Sequence, residues 1–186
     1  MRAAILLAAG ASRRFGRRDK LQERLGRRSL LDHALANARA SGARRILLVT
    51  SAPFCLRGVT SVRCANAKDG LSASLAAGLA ALRPIEREVL IFLADMPFAR
   101  APRLRLHAGL EAVRPVFGNQ PGHPMLVRSQ AARMRLGTGD RGLGGALRTG
   151  FVRGSAGHVL DVDTRRALRL ARLHGSRGFG RRSQQR

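Results

Sequence analysis

An apolar segment that ends in a glycine-rich, cationic loop constrains the fold of this chain more than any other feature. The segment Ala3-Ala-Ile-Leu-Leu7 contains no polar residue, which is typical of a β-strand buried on both faces. It continues as Ala8-Ala-Gly-Ala-Ser-Arg-Arg-Phe-Gly-Arg-Arg-Asp-Lys20. Such a loop at the carboxyl end of a buried strand presents backbone N–H groups and positive charge to an anion. The sequence therefore predicts an anion-binding crevice at the edge of a parallel sheet.

The loop matches neither of two familiar nucleotide-binding signatures. The P-loop pattern G-x-x-x-x-G-K-[ST] fails because Gly16 comes one position too late and Arg17 follows it. The dinucleotide pattern G-x-G-x-x-G fails because Ser12 and Phe15 occupy its second and third glycine positions. The pattern that remains is G-x-S-x-R-x-G-x-x-x-K, which runs from Gly10 to Lys20.

Strand and helix patterns alternate through the first half of the chain. Residues 29–42 predict a helix capped by Ser29 and ended by Gly42, and residues 44–50 predict a second buried strand. A small-residue helix over 71–83 then precedes a third buried strand over 89–94. Repeated βαβ units build a mostly parallel, doubly wound, Rossmann-like sheet with helices on both faces. We therefore expect a three-layer α/β fold.

The second half of the chain has weaker patterns. The predicted elements, in chain order, are a helix over 100–111, strands over 113–117 and 125–127, a short helix near 143–147, a strand over 158–163, and a helix from Thr164 to His174. We expect one domain over residues 1–174. The basic tail over 175–186 has no apolar periodicity, so we expect it to be disordered.

Composition narrows the class of partner. The chain of 186 residues has a net charge of +24, which favours acidic partners. Its cations are spread along the chain, Trp and Tyr are missing, and Phe does not interleave with the basic residues as a stacking platform would. We therefore expect the protein to bind polyanionic small molecules and no specific nucleic acid. No apolar run reaches the ~20 residues of a membrane helix, so we expect a cytoplasmic protein without membrane contact. Cys55 and Cys64 are too few to close a zinc site.

Candidate ligands for a phosphorylated substrate and a cation occur at strand ends. Arg14 and Lys20 have the charge to bind phosphate oxygens, although a lone lysine is also consistent with a solvated loop. Asp95 follows a buried strand, where it is either a Mg²⁺ ligand or the cap of a helix near Pro97; the apolar run before it favours the ligand. Asp161 and Asp163 form a second acidic pair, of which one is expected to reach the metal.

Several short motifs occur in a characteristic order. They are Leu7-Ala-Ala-Gly10 to Lys20, Asn66 to Gly78, Leu93-Ala-Asp-Met-Pro97, Gly122-His-Pro124, Thr138-Gly-Asp-Arg-Gly142 and Asp161-Val-Asp-Thr164. Together they resemble the NTP transferase family of molybdenum cofactor cytidylyltransferases and molybdopterin-guanine dinucleotide synthases. The resemblance is strongest to the cytidine-using branch. This chain has the form Leu7-Ala-Ala-Gly10, which looks like that branch, whereas Leu-Ala-Gly-Gly is more typical of the guanosine-using branch. It departs from the family at Phe15, where Met is usual, and at Leu143-Gly-Gly145.

The resemblance implies a sheet of the nucleotide-diphospho-sugar transferase type and a Mg²⁺-dependent transfer of CMP from CTP to molybdopterin, with release of pyrophosphate. It implies catalytic roles for Arg14, Lys20 and Asp95, and acceptor binding by Gly122, His123 and Pro124. The implied metal ligands are Asp95, Asp161 and Asp163. The implied nucleotide-binding residues are Leu7, Ala8, Ala9, Gly10, Ala11, Ser12, Arg14, Lys20, Asn66, Gly70, Leu71 and Ser72. A molybdoenzyme or an insertion chaperone is an implied protein partner.

Two kinds of alternative remain at the level of sequence. The same chemistry is open to GTP and to another acceptor, such as a sugar or alcohol phosphate. In a different class, the chain is a non-catalytic basic module that binds RNA or a cofactor-accepting enzyme.

Overall fold

The first apolar segment is the central strand of a mixed sheet in the computed structural model, which describes residues 1–10, 20–52, 54–139, 142–143 and 147–175. This strand, β1 (Arg2–Leu7), pairs in parallel with β4 (Arg45–Thr50) on one side and β6 (Glu88–Leu93) on the other. The three strands that the sequence predicts to be most deeply buried are therefore neighbours.

The described part of the sheet has eight strands, in the order β10-β7-β9-β6-β1-β4-β5, with β8 paired to β7. The remaining strands of this sheet are β5 (Thr60–Arg63), β7 (Ala112–Phe117), β8 (Gln120–Pro121), β9 (Met125–Arg128) and β10 (Thr149–Arg153). β9 runs antiparallel to β6 and β7, whereas β10 is parallel to β7. A separate hairpin consists of β2 (Arg24–Leu25) and β3 (Arg28–Ser29).

Helices cover both faces of the sheet, which confirms the three-layer α/β architecture. Along β1, Ala3, Ile5 and Leu7 face α2 (Leu71–Ala80) and α3 (Ser129–Met134). The alternate residues, Ala4 and Leu6, face α1 (Leu30–Arg39). A third apolar cluster lies beneath α4 (Arg165–Gly175), which packs on the β2–β3 hairpin. None of the helices in the described ranges has the length and apolar character to cross a membrane.

Two helices begin and pack as their sequences predict. The Ser29 hydroxyl accepts a hydrogen bond from the Asp32 N–H at 3.1 Å, and the Asp32 carboxylate accepts one from the Ser29 N–H, so a capping box begins α1. Gly42, with φ of 77°, turns the chain after that helix. On α2, a Cβ at Gly78 would stand 2.8 Å from Ile5 Cγ2, so the small residue permits close approach of helix and sheet.

Two predicted elements are wrong. Residues 100–111 form no regular structure, because Pro102 has no N–H to donate and Leu104 is instead buried while its carbonyl accepts a bond from Arg2. The predicted strand over 158–163 is a short 3₁₀ helix (Ala156–His158) followed by an irregular segment. β10 was not predicted, because an exposed edge strand has no continuous apolar run. The predicted tail from residue 176 onward, and most of the predicted helix near 143–147, lie outside the described residues.

Candidate active site

A cavity of about 600 Å³ opens at the carboxyl ends of β1 and β6, beside the N-terminus of α2. These two strands are parallel neighbours, so the segments that follow them leave the sheet side by side. The Ala94 N–H donates to the Leu7 carbonyl at 3.0 Å, which joins the two segments just beyond the strands. The sequence prediction of a crevice at this edge agrees with the cavity's position.

A lysine and two carboxylates meet in this cavity. Lys20 Nζ donates to Asp95 Oδ2 at 2.9 Å and to Asp163 Oδ1 at 2.5 Å. The Lys20 side chain is only 12% exposed, so solvent screens these contacts weakly. Three residues far apart in the sequence therefore form one charged cluster, and all three were predicted as site residues.

The backbone holds each member of the cluster. Asp95 lies two residues beyond the end of β6, at the edge of the sheet where the cavity opens. The Asp95 carbonyl accepts a hydrogen bond from the Val162 N–H at 2.9 Å, which brings Asp163 beside Asp95. Val162 is fully buried under α4, and the burial anchors the irregular segment that carries Asp163. Lys20 begins a 3₁₀ helix whose next residue, Leu21, is also buried.

The carboxylates set the charge state of the cluster. Burial opposes the charge of Lys20, but the negative charges and hydrogen bonds of Asp95 and Asp163 outweigh it, so the pKa of Lys20 is raised. Partial burial of the Asp161 carboxyl group, followed by the negative charge of Asp163, raises the pKa of Asp161. Asp161 therefore belongs to the same electrostatic group, although its residue is exposed to solvent.

The donor set of the cluster fits a divalent cation that is also bound by phosphate. Asp95 Oδ1 is buried and accepts no hydrogen bond from the described residues, so this carboxylate retains coordinating capacity. Mg²⁺ is usually held by one or two carboxylates together with substrate phosphates, and two carboxylates are present. Across the described ranges, no group of three His, Cys, Asp or Glu side chains could hold a metal without such help. Cys55 and Cys64 are both free.

Most of the predicted nucleotide-binding residues that the structure describes line this cavity. They are Leu7, Ala8, Ala9, Gly10, Lys20, Gly70 and Leu71. Asn66 and Ser72 are not among its lining residues. Ser72 is buried, and its hydroxyl accepts a hydrogen bond from the Gly142 N–H at 3.2 Å. Ala11, Ser12 and Arg14 lie outside the described residues, so their predicted roles stay predictions.

Other lining residues were not selected from the sequence. They are Leu21, Ala67, Lys68, Asp69, Ser74, Leu93, Ala94 and Gly139. One feature of the sequence could have identified Lys68, namely the rarity of lysine in this chain. Both lysines of a chain that otherwise uses arginine, Lys20 and Lys68, line the same cavity.

The predicted acceptor-binding turn packs behind the segment that carries the acids. Gly122 is buried, and a Cβ there would stand 2.3 Å from the His158 carbonyl oxygen. The His123 N–H donates to that same oxygen at 2.8 Å, while His123 Nδ1 contacts the Ile91 carbonyl at 3.3 Å. Burial and the positive charge of Arg114 lower the pKa of His123 to about 4. Gly122, His123 and Pro124 are absent from the described cavity lining, so their contact with an acceptor stays a prediction.

Residues 4–178 match the family model described as a MobA-like NTP transferase domain. This chain belongs to that family. The match covers β1 from Ala4 onward, the whole of β6 and all three members of the charged cluster. Among curated proteins, no sequence matches this nucleotidyltransferase.

Solved structures share the fold of this nucleotidyltransferase. A nucleotidyl transferase from Methanothermobacter thermautotrophicus is 20% identical with a TM-score of 0.80, over 95% of this chain and 98% of that one. The 2-C-methyl-D-erythritol 4-phosphate cytidylyltransferase from Thermus thermophilus is 20% identical with a TM-score of 0.66, over 92% and 98%. Molybdopterin-guanine dinucleotide biosynthesis protein A from Archaeoglobus fulgidus is 18% identical with a TM-score of 0.65, over 96% and 100%. The fold therefore occurs in proteins named for different bases and acceptors.

Proposed function

We propose that this protein transfers CMP from CTP to a phosphorylated acceptor, molybdopterin, and releases pyrophosphate. The observation that carries the proposal is the cluster of Lys20, Asp95 and Asp163 in a cavity at the carboxyl ends of parallel strands. In the proposed reaction, an acceptor phosphate oxygen forms a bond to the α-phosphorus. The bond from that phosphorus to the β-phosphate bridging oxygen breaks, and pyrophosphate leaves with the electron pair.

The protein's own groups contribute mainly by position and charge. A nucleoside triphosphate has about four negative charges, so phosphoryl transfer depends on their neutralisation and on alignment of the reacting atoms. The N-terminus of α2 at Gly70 and Leu71 directs backbone N–H groups towards the cavity, where they favour an anion. Lys20 supplies a cation for the leaving pyrophosphate, and the predicted role of Arg14 is to bind phosphate oxygens in a bidentate manner.

Mg²⁺ is the proposed cofactor, and Asp95 and Asp163 are its proposed ligands, with Asp161 beside them. When bound, the ion would neutralise charge on the phosphates and polarise the reacting phosphoryl group. Asp95 supports this assignment because one of its oxygens is buried without a hydrogen bond from the described residues.

The choice of CTP rests on the loop that ends β1. Ala9 is 4% exposed and lines the cavity, at the position where the guanosine-using branch more typically has glycine in its Leu-Ala-Gly-Gly motif. The fold neighbour from Thermus thermophilus is a cytidylyltransferase by name, which supports the same base. GTP is the rival, supported by the name of the Archaeoglobus fulgidus neighbour.

The choice of molybdopterin rests on the family match and on that same neighbour's name. A sugar or alcohol phosphate is the rival acceptor, supported by the erythritol phosphate in the name of the Thermus thermophilus neighbour. A non-catalytic RNA-binding module is less consistent with the structure, because it would not need two carboxylates paired with Lys20 in the cavity.

Pyrophosphate release tests the proposal. The protein is incubated with Mg²⁺, either CTP or GTP, and either molybdopterin or a sugar phosphate, and we expect CTP with molybdopterin to give the highest kcat/KM. Lys20→Met and Asp95→Asn should each lower kcat/KM at least about 100-fold, since each removes charge stabilisation of the transition state. Arg103→Met, which removes an exposed cation outside the cavity lining, is the matched control. Full activity in both site variants would contradict the assignment of Lys20 and Asp95 to the active site. A higher kcat/KM with GTP than with CTP would identify GTP as the preferred nucleotide.

A further inference from the structure

The Lys20 ammonium lies between Asp95 and Asp163, the two carboxylates proposed to hold the divalent cation. It lies within hydrogen-bond distance of one oxygen of each carboxylate. The lysine is the least exposed of the three side chains, at 12%, compared with 24% for Asp95 and 38% for Asp163. The protein therefore supplies its own counter-ion to the two carboxylates.

A lysine ammonium and a divalent cation exclude each other from this position. Both are positive, and Lys20 Nζ already contacts both carboxylates, at Asp95 Oδ2 and Asp163 Oδ1. A divalent cation bound to the same two carboxylates would be repelled by the ammonium in surroundings that screen charge weakly, even if it used Asp95 Oδ1, which accepts no hydrogen bond from the described residues. The cation can occupy the shared position only after the ammonium has moved away. Movement of the ammonium requires another anion to receive it, because a buried charge that loses its partners is costly.

We propose that Lys20 competes with the divalent cation for Asp95 and Asp163, so that the cation binds tightly only when a nucleotide triphosphate draws the lysine away. The proposal rests on the proposed function, because it assumes that the cavity receives a triphosphate. Metal and nucleotide are then thermodynamically coupled through one side chain, in addition to their direct contact.

The local structure permits this exchange without rearrangement of the fold. The Lys20 carbonyl accepts a hydrogen bond from the Glu23 N–H at 3.1 Å, and Leu21 is buried, so the backbone is fixed at this point. The four-carbon stem of lysine can redirect the ammonium while the backbone stays in place. Lys20 and the N-terminal residues of α2 line the same cavity, so phosphate bound at that helix end would lie on the lysine's side of the site.

Titration with Mn²⁺ in the absence of nucleotide tests the competition. Free Mn²⁺ is followed by electron paramagnetic resonance in the wild type and in Lys20→Met, which keeps an unbranched apolar stem but removes the ammonium. We expect Lys20→Met to bind Mn²⁺ about tenfold more tightly, because the competing ammonium is gone. Lys20→Gln is a second neutral variant in case Lys20→Met does not fold, and it should show the same direction of change.

Two control variants identify the site. Lys68→Met removes the other lysine of the cavity and should change Mn²⁺ affinity by less than about twofold, because no Lys68 contact to a carboxylate occurs among the described residues. Lys20→Met combined with Asp95→Asn should lose the tighter binding. Unchanged or weaker Mn²⁺ binding in Lys20→Met and Lys20→Gln would overturn the proposal, as would an equal gain in Lys68→Met.

A second titration measures the coupling. In saturating α,β-methylene CTP, which does not transfer its nucleotide, we expect the affinity difference between wild type and Lys20→Met to disappear or reverse. A tenfold difference that persists with the analogue bound would show that the nucleotide does not draw the lysine away. These measurements need no turnover. An inactive wild type that still shows the Mn²⁺ difference would contradict the proposed reaction but leave the competition intact, and an active enzyme without the difference would contradict only the competition.

Discussion

At the scale of single residues, the burial of His123 makes stability depend on pH. Its pKa is about 4 in the folded protein, against 6.5 for an ordinary histidine. Between these values the unfolded chain binds a proton that the folded protein does not, so the free energy of unfolding rises with pH. The stability is fully present above pH 6.5 and is lost as pH falls towards 4.

We therefore expect acid to destabilise the wild type more than a His123→Gln variant. The difference in free energy of unfolding between wild type and His123→Gln should change by up to about 3 kcal/mol from pH 7 to pH 4. Each unit of pKa shift corresponds to about 1.4 kcal/mol. Urea unfolding at a series of pH values measures it. His107→Gln, which changes an exposed histidine, serves as the control. Parallel pH profiles for wild type and His123→Gln would contradict the expectation.

Single residues also show why the sequence predicts the members of the charged cluster but not their contacts with one another. Asp95 was identifiable because it directly follows a strand buried on both faces. Nothing in the sequence indicates that Lys20 and Asp163 lie close together. The hydrogen bond from the Val162 N–H to the Asp95 carbonyl brings Asp163 beside Asp95, and this tertiary contact has no sequence pattern. The Ser72 hydroxyl accepts a hydrogen bond from the Gly142 N–H, and the nucleotide-binding role of Ser72 stays a prediction. Spacing identifies a helix start, but it does not tell which serine faces the cavity.

At the scale of secondary-structure elements, a buried ion pair joins β4 to the turn before β6. Arg45 Nη1 contacts Glu86 Oε2 at 2.8 Å, the same oxygen accepts the Arg83 N–H at 2.7 Å, and the Glu86 side chain is completely buried. Arg45 also donates to the Ala81 carbonyl at the end of α2. The pair thus connects three elements at the edge of the sheet opposite the cavity.

Loss of this pair should destabilise the protein without changing its chemistry. We expect Glu86→Gln to lower the free energy of unfolding by about 3 kcal/mol, because the buried Arg45 charge loses its partner. Glu88→Gln breaks a comparable contact with Arg2 that is about one-third exposed, and it should cost less than about 1 kcal/mol. Chemical denaturation of both variants gives the comparison. Equal losses would mean that burial does not decide the strength of these pairs.

The hydrogen bond from Gly142 to Ser72 attaches a glycine-rich segment to the start of α2. Ser72→Ala should cost about 1 kcal/mol of stability, because the Gly142 N–H loses its acceptor. Thermal unfolding measures the loss. Ser74→Ala is the matched variant, since Ser74 lines the cavity, and it should instead raise the KM for nucleotide. A larger KM effect in Ser72→Ala than in Ser74→Ala would support the predicted contact of Ser72 with nucleotide.

At the scale of the whole molecule, the architecture was more predictable than its irregular segments. The apolar runs in β1, β4 and β6 required burial on both faces, and parallel strands of this kind are usually covered by a layer of helices on each face. The segment before β7 could not be predicted by periodicity. Its apolar residues, such as Leu104, are buried by contacts with distant parts of the chain and not by a helix. The segment before α4 was mistaken for a strand for a similar reason.

The charged cluster leads to a prediction for the metal-free protein as a whole. Because Lys20 forms an ion pair with both Asp95 and Asp163, removal of divalent cations should leave neither carboxylate without a positive partner. We expect the melting temperature in excess EDTA to lie within about 2 °C of the value in Mg²⁺ without nucleotide, which corresponds to less than about 1 kcal/mol. Differential scanning calorimetry tests this. In Lys20→Met the same comparison should show a larger effect of Mg²⁺.

A protein that supplies its own counter-ion does not need a divalent cation to stay folded when such cations are scarce in the cell. When free divalent cations are scarce, molecules with Lys20 between the two acids would be inactive but intact, and they would not enter the pool of unfolded chains that proteases remove. Activity would return as soon as metal and nucleotide arrive together, without new synthesis or refolding. One lysine would thus let the cell keep a reserve of this protein through a period of metal shortage.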